Sequence, residues 1–505
     1  MSQHHGGTRG LETTVGSALF EGRFGRMFRP LPAAEFGSTT DDSVSALHAL
    51  AQKMTASAGA TPKVEGSPAL PSGYTFLGQF IDHDLTFDPV SSLQKANDPD
   101  SLTNFRSPRF DLDCIYGRGP DDQPYMYQQD GPTKGSLLLG RPLTGATTNP
   151  DAKDLARAAN GRAIIGDMRN DENVIISQIQ STFIRFHNRC IAKGFSFAEA
   201  QRQTRWHYQY VVLNDFLPRI VGRDTVEAVL PHLKKGTTIY EDTPNLNFYH
   251  WHNDPFMPVE FAVAAYRFGH SLVRERYMLN STITKNVFDA NDQNGLNGFR
   301  AFPADWAIDW TKFFEEATAT GPKNSGFQPA DCIDTSLVNP LAHLPGEVGN
   351  NAILADRNLL RGYRMGLPSG QAVAKAMAIV PHPDTDIRMG RVTNNTWDNA
   401  AVKITDVSAA FANNCPLWAY ILAEAAINQV EGRANTLGPV GGRIVAEVIV
   451  GLLLGDQYSY LSQDPDWTPY QNKNFGMPDF IHFALSPLPV VPTAVTIGTS
   501  VTTPV

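Results

Sequence analysis

Residues 78–89 read GQFIDHDLTFDP and place His83 between two carboxylates, Asp82 and Asp84. An imidazole can act as a base near neutral pH, and a neighbouring aspartate can hold one of its tautomers. Carboxylate oxygens are also the ligands that a hard cation such as calcium prefers. The stretch therefore indicates acid–base chemistry, a metal site or both, and a solvated acidic loop is the alternative that composition also allows.

The composition limits the possible classes of protein. The chain has 505 residues, 42% of them hydrophobic and 18% charged, which is typical of a well-buried globular protein. The net charge of −9 argues against the clustered basic surface that nucleic-acid binding requires, so we expect no DNA or RNA partner. Four widely separated cysteines lack the short spacing of zinc and redox motifs and indicate buried thiols.

Two features bear on location. The longest apolar stretch, residues 444–455, falls short of the roughly 18–20 residues that span a bilayer, so we expect no transmembrane segment. The first residues lack the apolar core of a signal peptide. We therefore expect a soluble protein that is cytoplasmic by default, with export by another route left open.

Helical periodicity predominates along the chain, and strand-like alternation is scarce. We predict a mainly α fold, with a single large helical domain over residues 71–485 and little β structure. Residues 1–70, rich in Gly, Pro, Ser and Ala, are expected to form an arm packed on the core, and residues 486–505 a peripheral tail. The predicted helices include residues 173–193, 200–213, 258–276, 371–380, 414–431 and 440–454.

A second polar segment, SPRFDLD at residues 107–113, carries Ser107, Asp111 and Asp113 at alternate positions. An extended chain points alternate side chains the same way, and calcium takes six to eight oxygen ligands. With Asp84 as a further ligand, the segment predicts a cation site. An ordinary polar turn is the alternative.

Two further motifs are ambiguous when each is considered separately. In GDMRNDEN (166–173), Arg169 and Glu172 are three residues apart and can form an ion pair within a helix. In AYRFGHSLV (265–273), His270 lies on an apolar face, where a histidine is commonly a hydrogen-bonded core residue. Gly269 beside it leaves room for a bulky group.

These motifs and LADRNLLRGYRMGLP (354–368) occur in the order found in animal-type haem peroxidases. From about residue 20 to residue 485, the chain resembles this family of the peroxidase–cyclooxygenase superfamily. The resemblance implies an enzyme that holds haem b, reduces hydrogen peroxide, and oxidises phenolic or other small organic donors, or halides. A part in the response to oxidative stress would follow. Neither the physiological donor nor the oligomeric state does.

The resemblance also implies roles for residues on the distal side of the haem, where peroxide binds. His83 would be the distal base, Arg169 its partner in stabilising the departing oxygen, and Gln79 a neighbour of the distal water and halide. Asp82 and Glu172 match the carboxylates that become esterified to haem methyl groups in mammalian members.

On the proximal side, the resemblance makes His270 the ligand of the haem iron. Asn358 would accept a hydrogen bond from the second nitrogen of that ring. Arg267 and Arg361 would pair with the haem propionates.

A structural calcium ion is the second cofactor that the resemblance implies. Its ligands would be Asp84, Ser107, Asp111, Asp113 and the main-chain carbonyl of Arg109. Because Asp84 adjoins His83, a bound calcium ion would hold the distal base in place.

Two alternatives remain. FYHWH (248–252) resembles a cyclooxygenase pattern in which Tyr249 forms the oxidising radical and His252 binds iron, which would imply fatty-acid dioxygenation. The other alternative is a non-enzymatic, calcium-dependent interaction protein built on a peroxidase scaffold.

Overall fold

A computed structural model describes residues 22–56, 70–87, 103–252, 254–289, 295–316, 326–469 and 474–486. The described residues form a mainly α fold with short strands, as the sequence predicts. Most of the predicted C-terminal tail and residues 1–21 and 57–69 of the predicted arm lie outside the described residues. None of the described helices is long and apolar enough to cross a membrane.

The α-helices are numbered in chain order. They are α1 Thr40–Lys53, α2 Gly73–Leu85, α3 Asp113–Tyr116, α4 Val174–Ala192, α5 Phe197–Val211, α6 Leu217–Val221, α7 Arg223–Val229, α8 Pro231–Lys235, α9 Leu354–Arg364, α10 Gly370–Ala376, α11 Ile404–Val407, α12 Leu417–Val430, α13 Pro439–Gly455, α14 Tyr460–Gln463 and α15 Met477–Leu485.

The strands have two to four residues each. They are β1 Gly22–Gly25, β2 Thr103–Asn104, β3 Leu139–Pro142, β4 Lys153–Leu155, β5 Met257–Pro258, β6 Arg276–Met278, β7 Thr284–Asn286, β8 Arg388–Met389, β9 Val392–Thr393, β10 Thr396–Trp397 and β11 Val402–Lys403. Strands β2, β1 and β5 form one sheet, in which β1 is antiparallel to β2 and parallel to β5. The other strands form two-stranded hydrogen-bonded pairs.

Local sequence explains where α4 begins. The side chain of Asn173 accepts hydrogen bonds from the main-chain nitrogens of Ile175 and Ile176, which caps the first turn. The apolar face of α4 then packs against α2 and α15 through contacts between aromatic rings. The ring centroids of Phe80 and Phe183 are 4.3 Å apart, and those of Phe183 and Phe480 are 4.5 Å apart. This contact fixes α2, which carries His83, against the core.

The prediction of a helix over residues 258–276 is wrong in its detail. The structure has a π-helical segment, Glu260–Ala264, followed by a 3-10 segment, Ala265–Leu272. Ala264, with φ −126° and ψ −72°, interrupts the helical path between them. A distant contact accompanies this irregular path: the buried carboxylate of Glu260 accepts hydrogen bonds from the main-chain nitrogens of Met27 and Phe28 at 3.0 and 3.1 Å.

A cavity between two histidines

A cavity of about 740 Å³ lies between α2 and the 3-10 segment Ala265–Leu272. His83 on α2 and His270 on the 3-10 segment both line it. The volume lies within the roughly 300–1,000 Å³ of pockets that hold cofactors and small ligands. Two histidines that lie far apart in the sequence are thus brought to one cavity.

The ring of His83 is oriented by Asn170. Nδ1 of His83 lies 2.7 Å from Oδ1 of Asn170, so the ring nitrogen donates its proton to an amide oxygen. The amide of Asn170 is itself held, because its Nδ2 donates to Gln180 at 2.8 Å and Gln180 donates to the carbonyl of Cys114 at 3.2 Å. This chain of hydrogen bonds leaves Nε2 of His83 unprotonated. The sequence allowed a neighbouring aspartate to hold this ring, but an asparagine holds it in the structure.

Burial sets the protonation of His83. The ring is buried, and burial together with the nearby positive charge of Arg169 lowers the pKa of His83 to about 3. The imidazole is therefore neutral near pH 7 and can accept a proton at Nε2.

Two acids lie beside His83 on the cavity wall. Oε1 of Glu172 is 4.0 Å from Nε2 of His83, and Gln79 donates a hydrogen bond to the same oxygen. Burial, with the charges of Asp167 and Asp82, raises the pKa of Glu172 to about 7. Burial also raises the pKa of Asp82. Both predicted attachment residues, Asp82 and Glu172, thus reach the cavity.

Arg169 lies beside His83 but does not line the cavity. Its guanidinium donates to the carboxylate of Asp167 at 2.7 Å and to the main-chain carbonyl of His83 at 3.0 Å, and it lies over the ring of Phe87. The helical ion pair with Glu172 considered from the sequence is replaced by the pair with Asp167. Asp167 is only two residues from Arg169 in the same turn, so its carboxylate can contact the guanidinium directly.

The ring of His270 is also held by an asparagine. Nδ2 of Asn358, on α9, lies 2.8 Å from Nδ1 of His270, and Oδ1 of Asn358 accepts a hydrogen bond from Arg267 at 2.7 Å. Burial, with the charges of Arg267 and Arg357, lowers the pKa of His270 to about 3. The predicted pairing of Asn358 with His270 is present, but the amide nitrogen faces the ring where the carbonyl oxygen was expected.

Positive charge lines one part of the cavity. Arg267, Arg357 and Arg361 all contribute to its wall. Gly269 leaves open space, because an added Cβ would meet no atom within 4 Å. The sequence reading identified Arg267 and Arg361 and missed Arg357. The spacing of Arg357 and Arg361, four residues apart on α9, is a signal that would have found it.

The predicted cation ligands form a cluster around Asp84, which lies near the end of α2. Oxygen atoms of Asp84, Asp111 and Asp113 all lie within 4.8 Å of one another. Ser107 joins them by donating to Asp111 at 2.6 Å. The side chain of Arg109 points to another carboxylate, with its Nε 3.7 Å from Asp456.

Two oxygens of this cluster need a partner. Oδ1 of Asp84 and Oδ1 of Asp113 are buried and receive no hydrogen bond from the described residues. Burial and the mutual repulsion of the three carboxylates raise the pKa of Asp84 well above its usual range. Arg106 neutralises part of the charge by donating to Asp113 at 3.2 Å. Oxygen ligands with unmatched lone pairs fit a hard cation such as calcium.

The FYHWH segment lies elsewhere. The hydroxyl of Tyr249 donates to the carbonyl of Phe256 at 2.7 Å, and the ring packs against Gly451. His252 is exposed at the surface. Neither residue lines the cavity that holds His83 and His270.

Comparison with known proteins identifies the family. The family model for the animal haem peroxidases matches residues 93–471, well over half of the chain. The chain therefore belongs to the animal haem peroxidase family, which implies haem binding and an oxidoreductase class. The matched range begins after His83 and does not include it.

Relatives carry the same class of name. A peroxidase-like protein of Margaritifera margaritifera is 26% identical over 363 residues, which cover 58% of this chain and 44% of that protein. A chorion peroxidase of Aedes aegypti is 31% identical over 220 residues, which cover 40% of this chain and 26% of that protein. The chain spans less than half the length of these curated relatives.

Solved structures share the fold. Peroxidase A of Dictyostelium discoideum has a TM-score of 0.57 at 16% identity, covering 86% of this chain and 90% of that one. A fatty acid alpha-dioxygenase of Oryza sativa has a TM-score of 0.54 at 15% identity, covering 90% and 78%. At such low identity, these likenesses show the fold alone.

Proposed function

We propose that this chain is a haem-dependent peroxidase that reduces hydrogen peroxide and oxidises phenolic or other small organic donors, or halides. One observation carries the proposal: His83 and His270 line one cavity, and Nδ1 of each ring is held by a buried asparagine. A haem peroxidase needs one histidine on the iron and a base on the opposite face.

The cavity residues fit haem b. His270 would bind the iron through Nε2, with Asn358 fixing the ring. The cationic wall formed by Arg267, Arg357 and Arg361 would hold the two haem carboxylates through charge-assisted hydrogen bonds. When bound, the haem supplies the redox-active iron that exchanges electrons with peroxide and donor.

His83 would move a proton between the two oxygens of hydrogen peroxide. Asn170 keeps the ring proton on Nδ1, which leaves a lone pair on Nε2, and Nε2 lies 4.0 Å from Oε1 of Glu172 on the cavity wall. Nε2 would take a proton from one oxygen of hydrogen peroxide and give it to the other oxygen, which then departs as water. Gln79, whose side chain lines the same wall, would hold water or halide beside this nitrogen.

Arg169 is a positioning residue in this proposal. It donates to the main-chain carbonyl of His83, and its charge helps to keep the ring neutral. Because Asp167 holds the guanidinium off the cavity wall, direct stabilisation of the departing oxygen by Arg169 is not proposed.

We further propose that Asp82 and Glu172 form ester bonds to haem methyl groups during peroxide turnover. Both carboxyl groups line the cavity, which is the geometric requirement for such bonds. Acid denaturation followed by intact mass tests this: haem should stay with the parent protein and be released from the variant Asp82→Val with Glu172→Gln. Haem that stays bound to the double variant would point to another attachment residue.

Calcium is proposed as the second cofactor, bound by Asp84, Ser107, Asp111, Asp113 and the carbonyl of Arg109. The unpartnered oxygens of the cluster support the assignment. Asp84 adjoins His83 directly in the sequence.

A second route also joins the calcium cluster to the distal base. The carbonyl of Cys114, the residue after Asp113, accepts from Gln180, which holds Asn170 against His83. We propose that calcium supports the distal base through both routes.

The domain organisation is part of the proposal. Residues 71–485 would form one peroxidase domain, with the preceding arm packed on it. Two contacts of the described part of the arm support this: Arg26 donates to the carbonyls of Gly366 and Met365, and Glu260 accepts from Met27 and Phe28.

An absorption spectrum of the haem-loaded protein before and after equimolar hydrogen peroxide tests the function. We expect a shifted haem band that returns when guaiacol is added, in the parent and in Tyr249→Phe. Bound haem that does not respond to peroxide would contradict the proposal, and calcium binding without haem binding would favour an interaction protein. Loss of haem in His252→Ala with retention in His270→Ala would favour the cyclooxygenase-like alternative.

A further inference from the structure

A second feature of the cavity wall is not used by the proposed reaction. Tyr74 lies on α2, the helix that carries His83, and its buried side chain lines the same cavity. Its hydroxyl donates to Oδ2 of Asp215 at 2.7 Å. Tyr74 and His83 are nine positions apart, which corresponds to about 14 Å along the helix.

Asp215 lies in a π-helical turn, Val212–Phe216, between α5 and α6. Such turns are rare and frequently occur at functional sites. The turn directs the carboxylate toward three donors: Tyr74, the main-chain nitrogen of Met477 at 2.7 Å, and Nε of Arg219 at 2.7 Å. The phenol is therefore one of several donors to this carboxylate.

The network continues to the surface. Arg219 lies over the ring of Tyr74, with 4.5 Å from its guanidinium carbon to the ring centroid, and it also donates to Glu315 at 2.8 Å. The side chain of Arg219 is 26% exposed and that of Glu315 is 15% exposed. We name the two carboxylates Asp215 and Glu315, together with Arg219 that bridges them, the outer acidic face. Tyr74 thus lies between the cavity and the outer acidic face.

A phenol can give up an electron readily only where its proton has an acceptor. Burial and the Asp215 carboxylate raise the pKa of Tyr74 well above its usual value, so the resting residue keeps its proton. Once the electron leaves, the proton is strongly acidic. Asp215, already hydrogen bonded to the hydroxyl, is the base that can take it.

We propose that Tyr74 is a redox-active residue, with Asp215 as its proton acceptor, that lets donors too large for the cavity be oxidised at the outer acidic face. The inference rests on the proposed peroxidase function. Hydrogen peroxide, acting through the haem, is the oxidant. Tyr74 loses one electron toward the haem, and its hydroxyl proton passes to Oδ2 of Asp215. A one-electron donor at the outer face then returns an electron to Tyr74, and Asp215 returns the proton.

Two other buried tyrosines provide the contrast. Tyr266 also lines the cavity, but its hydroxyl has no hydrogen-bond partner among the described residues. Tyr249 donates to a main-chain carbonyl, which is not a base, and lies away from the cavity. Among these three residues, only Tyr74 combines the cavity wall with a carboxylate acceptor.

The test is electron paramagnetic resonance of the haem-loaded protein, frozen shortly after equimolar peroxide is added. The protein carries ring-deuterated tyrosine so that a tyrosyl signal can be identified. We expect the signal in the parent and in Tyr266→Phe, and none in Tyr74→Phe. In Asp215→Asn, its formation should slow by about a hundredfold, the usual contribution of a positioned proton acceptor.

Turnover supplies an independent readout. Ferrocytochrome c is a one-electron donor too large to enter the cavity, whereas guaiacol is small. We expect the ratio of ferrocytochrome c oxidation to guaiacol oxidation to fall sharply in Tyr74→Phe and to stay at the parent value in Tyr266→Phe. The Tyr74→Phe change removes only a hydroxyl, so melting temperature serves as the check on folding.

The outcomes separate the two proposals. A peroxide-dependent haem spectrum with an unchanged tyrosyl signal in Tyr74→Phe would overturn the role of Tyr74 and leave the peroxidase assignment intact. An unchanged donor ratio in Tyr74→Phe would overturn it as well. A haem spectrum that does not respond to peroxide in the parent would overturn both.

Discussion

The two sides of the cavity use the same residue pair in opposite ways. On the distal side, Asn170 presents its amide oxygen to Nδ1 of His83. On the proximal side, Asn358 presents its amide nitrogen to Nδ1 of His270, because its oxygen is engaged by Arg267. The same side-chain amide thus fixes a protonated Nδ1 on one ring and an unprotonated Nδ1 on the other.

The two tautomers bear differently on the proposed roles of His83 as a base and of His270 as an iron ligand. The distal base is already in the tautomer it needs, since Nε2 of His83 is free to accept a proton. Iron binding through Nε2 of His270 requires the proton to lie on Nδ1, which in turn requires the carbonyl oxygen of Asn358. We therefore expect haem binding to reverse the Asn358 amide and to transfer Arg267 from that amide to a haem carboxylate.

The largest expected effect is on haem binding, and it differs between His83 and His270. His270→Ala should abolish stable haem binding, because the ring is the proposed iron ligand, whereas His83→Ala should bind haem normally. Haem titration followed by absorbance measures both. Full haem occupancy in His270→Ala would break the comparison, since the two histidines would then have no distinct roles.

Calcium removal should act on the distal side first. A ligand at about a hundredfold above its dissociation constant stabilises a protein by about 2.7 kcal/mol, so chelation should lower the melting temperature and disturb the haem spectrum. Asp111→Asn should reproduce part of the loss, and Glu431→Gln, at an exposed carboxylate that pairs with Arg433 and does not line the cavity, is the control. An unchanged melting temperature after verified removal of calcium would remove the site from the account.

The variant Asn170→Leu tests whether the tautomer of the His83 ring matters for the reaction with peroxide. We expect the reaction with peroxide to slow by up to about a hundredfold, because a ring without its partner loses part of the usual contribution of a positioned base, with haem occupancy unchanged. Asn358→Leu is the matched proximal variant and should instead shift the reduction potential of the iron. Stopped-flow absorbance and a redox titration distinguish the two. Equal effects of both variants on both quantities would contradict distinct roles for the amides.

The pH dependence should show the smallest effect. The pKa of His83 is lowered to about 3, so this base stays unprotonated between pH 5 and 8 and contributes no inflection there. Burial raises the pKa of Glu172 to about 7, so an inflection near pH 7 belongs to the acid, which becomes charged as pH rises. Glu172→Gln should remove that inflection from the rate of the first peroxide reaction, measured in protein in which Glu172 has not yet formed an ester. An inflection near 6.5 that persists in Glu172→Gln would assign it to His83.

Much of the predicted secondary structure could be derived from local sequence patterns. The helix predicted over residues 173–193 is found at Val174–Ala192, because Asn173 caps it and its apolar period is regular. The predicted cluster of Asp84, Asp111 and Asp113 is present, but the prediction of an extended segment is wrong: Leu112 has a left-handed backbone conformation (φ 58°) and Asp113 begins α3, so a turn brings these carboxylates together. The convergence of His83 and His270 followed from the family resemblance and not from either motif.

Long-range contacts account for the rest. The path of residues 260–272 accompanies the binding of Glu260 to Met27 and Phe28, more than 200 positions away, which periodicity cannot show. Asn170 was missed as the partner of His83 because its orientation is set by Gln180 and a main-chain carbonyl. The resemblance made Arg169 the partner of His83 that stabilises the departing oxygen, whereas its guanidinium donates to Asp167 and is not part of the cavity lining.

The central claim is that His83, presented by Asn170, is the base that activates peroxide in the cavity where His270 binds the iron. The most direct measurement is the stopped-flow rate at which hydrogen peroxide changes the haem absorbance of His83→Ala relative to the parent. We predict a fall of about a hundredfold or more at equal haem occupancy, the usual contribution of a positioned base. A rate equal to that of the parent would contradict the claim.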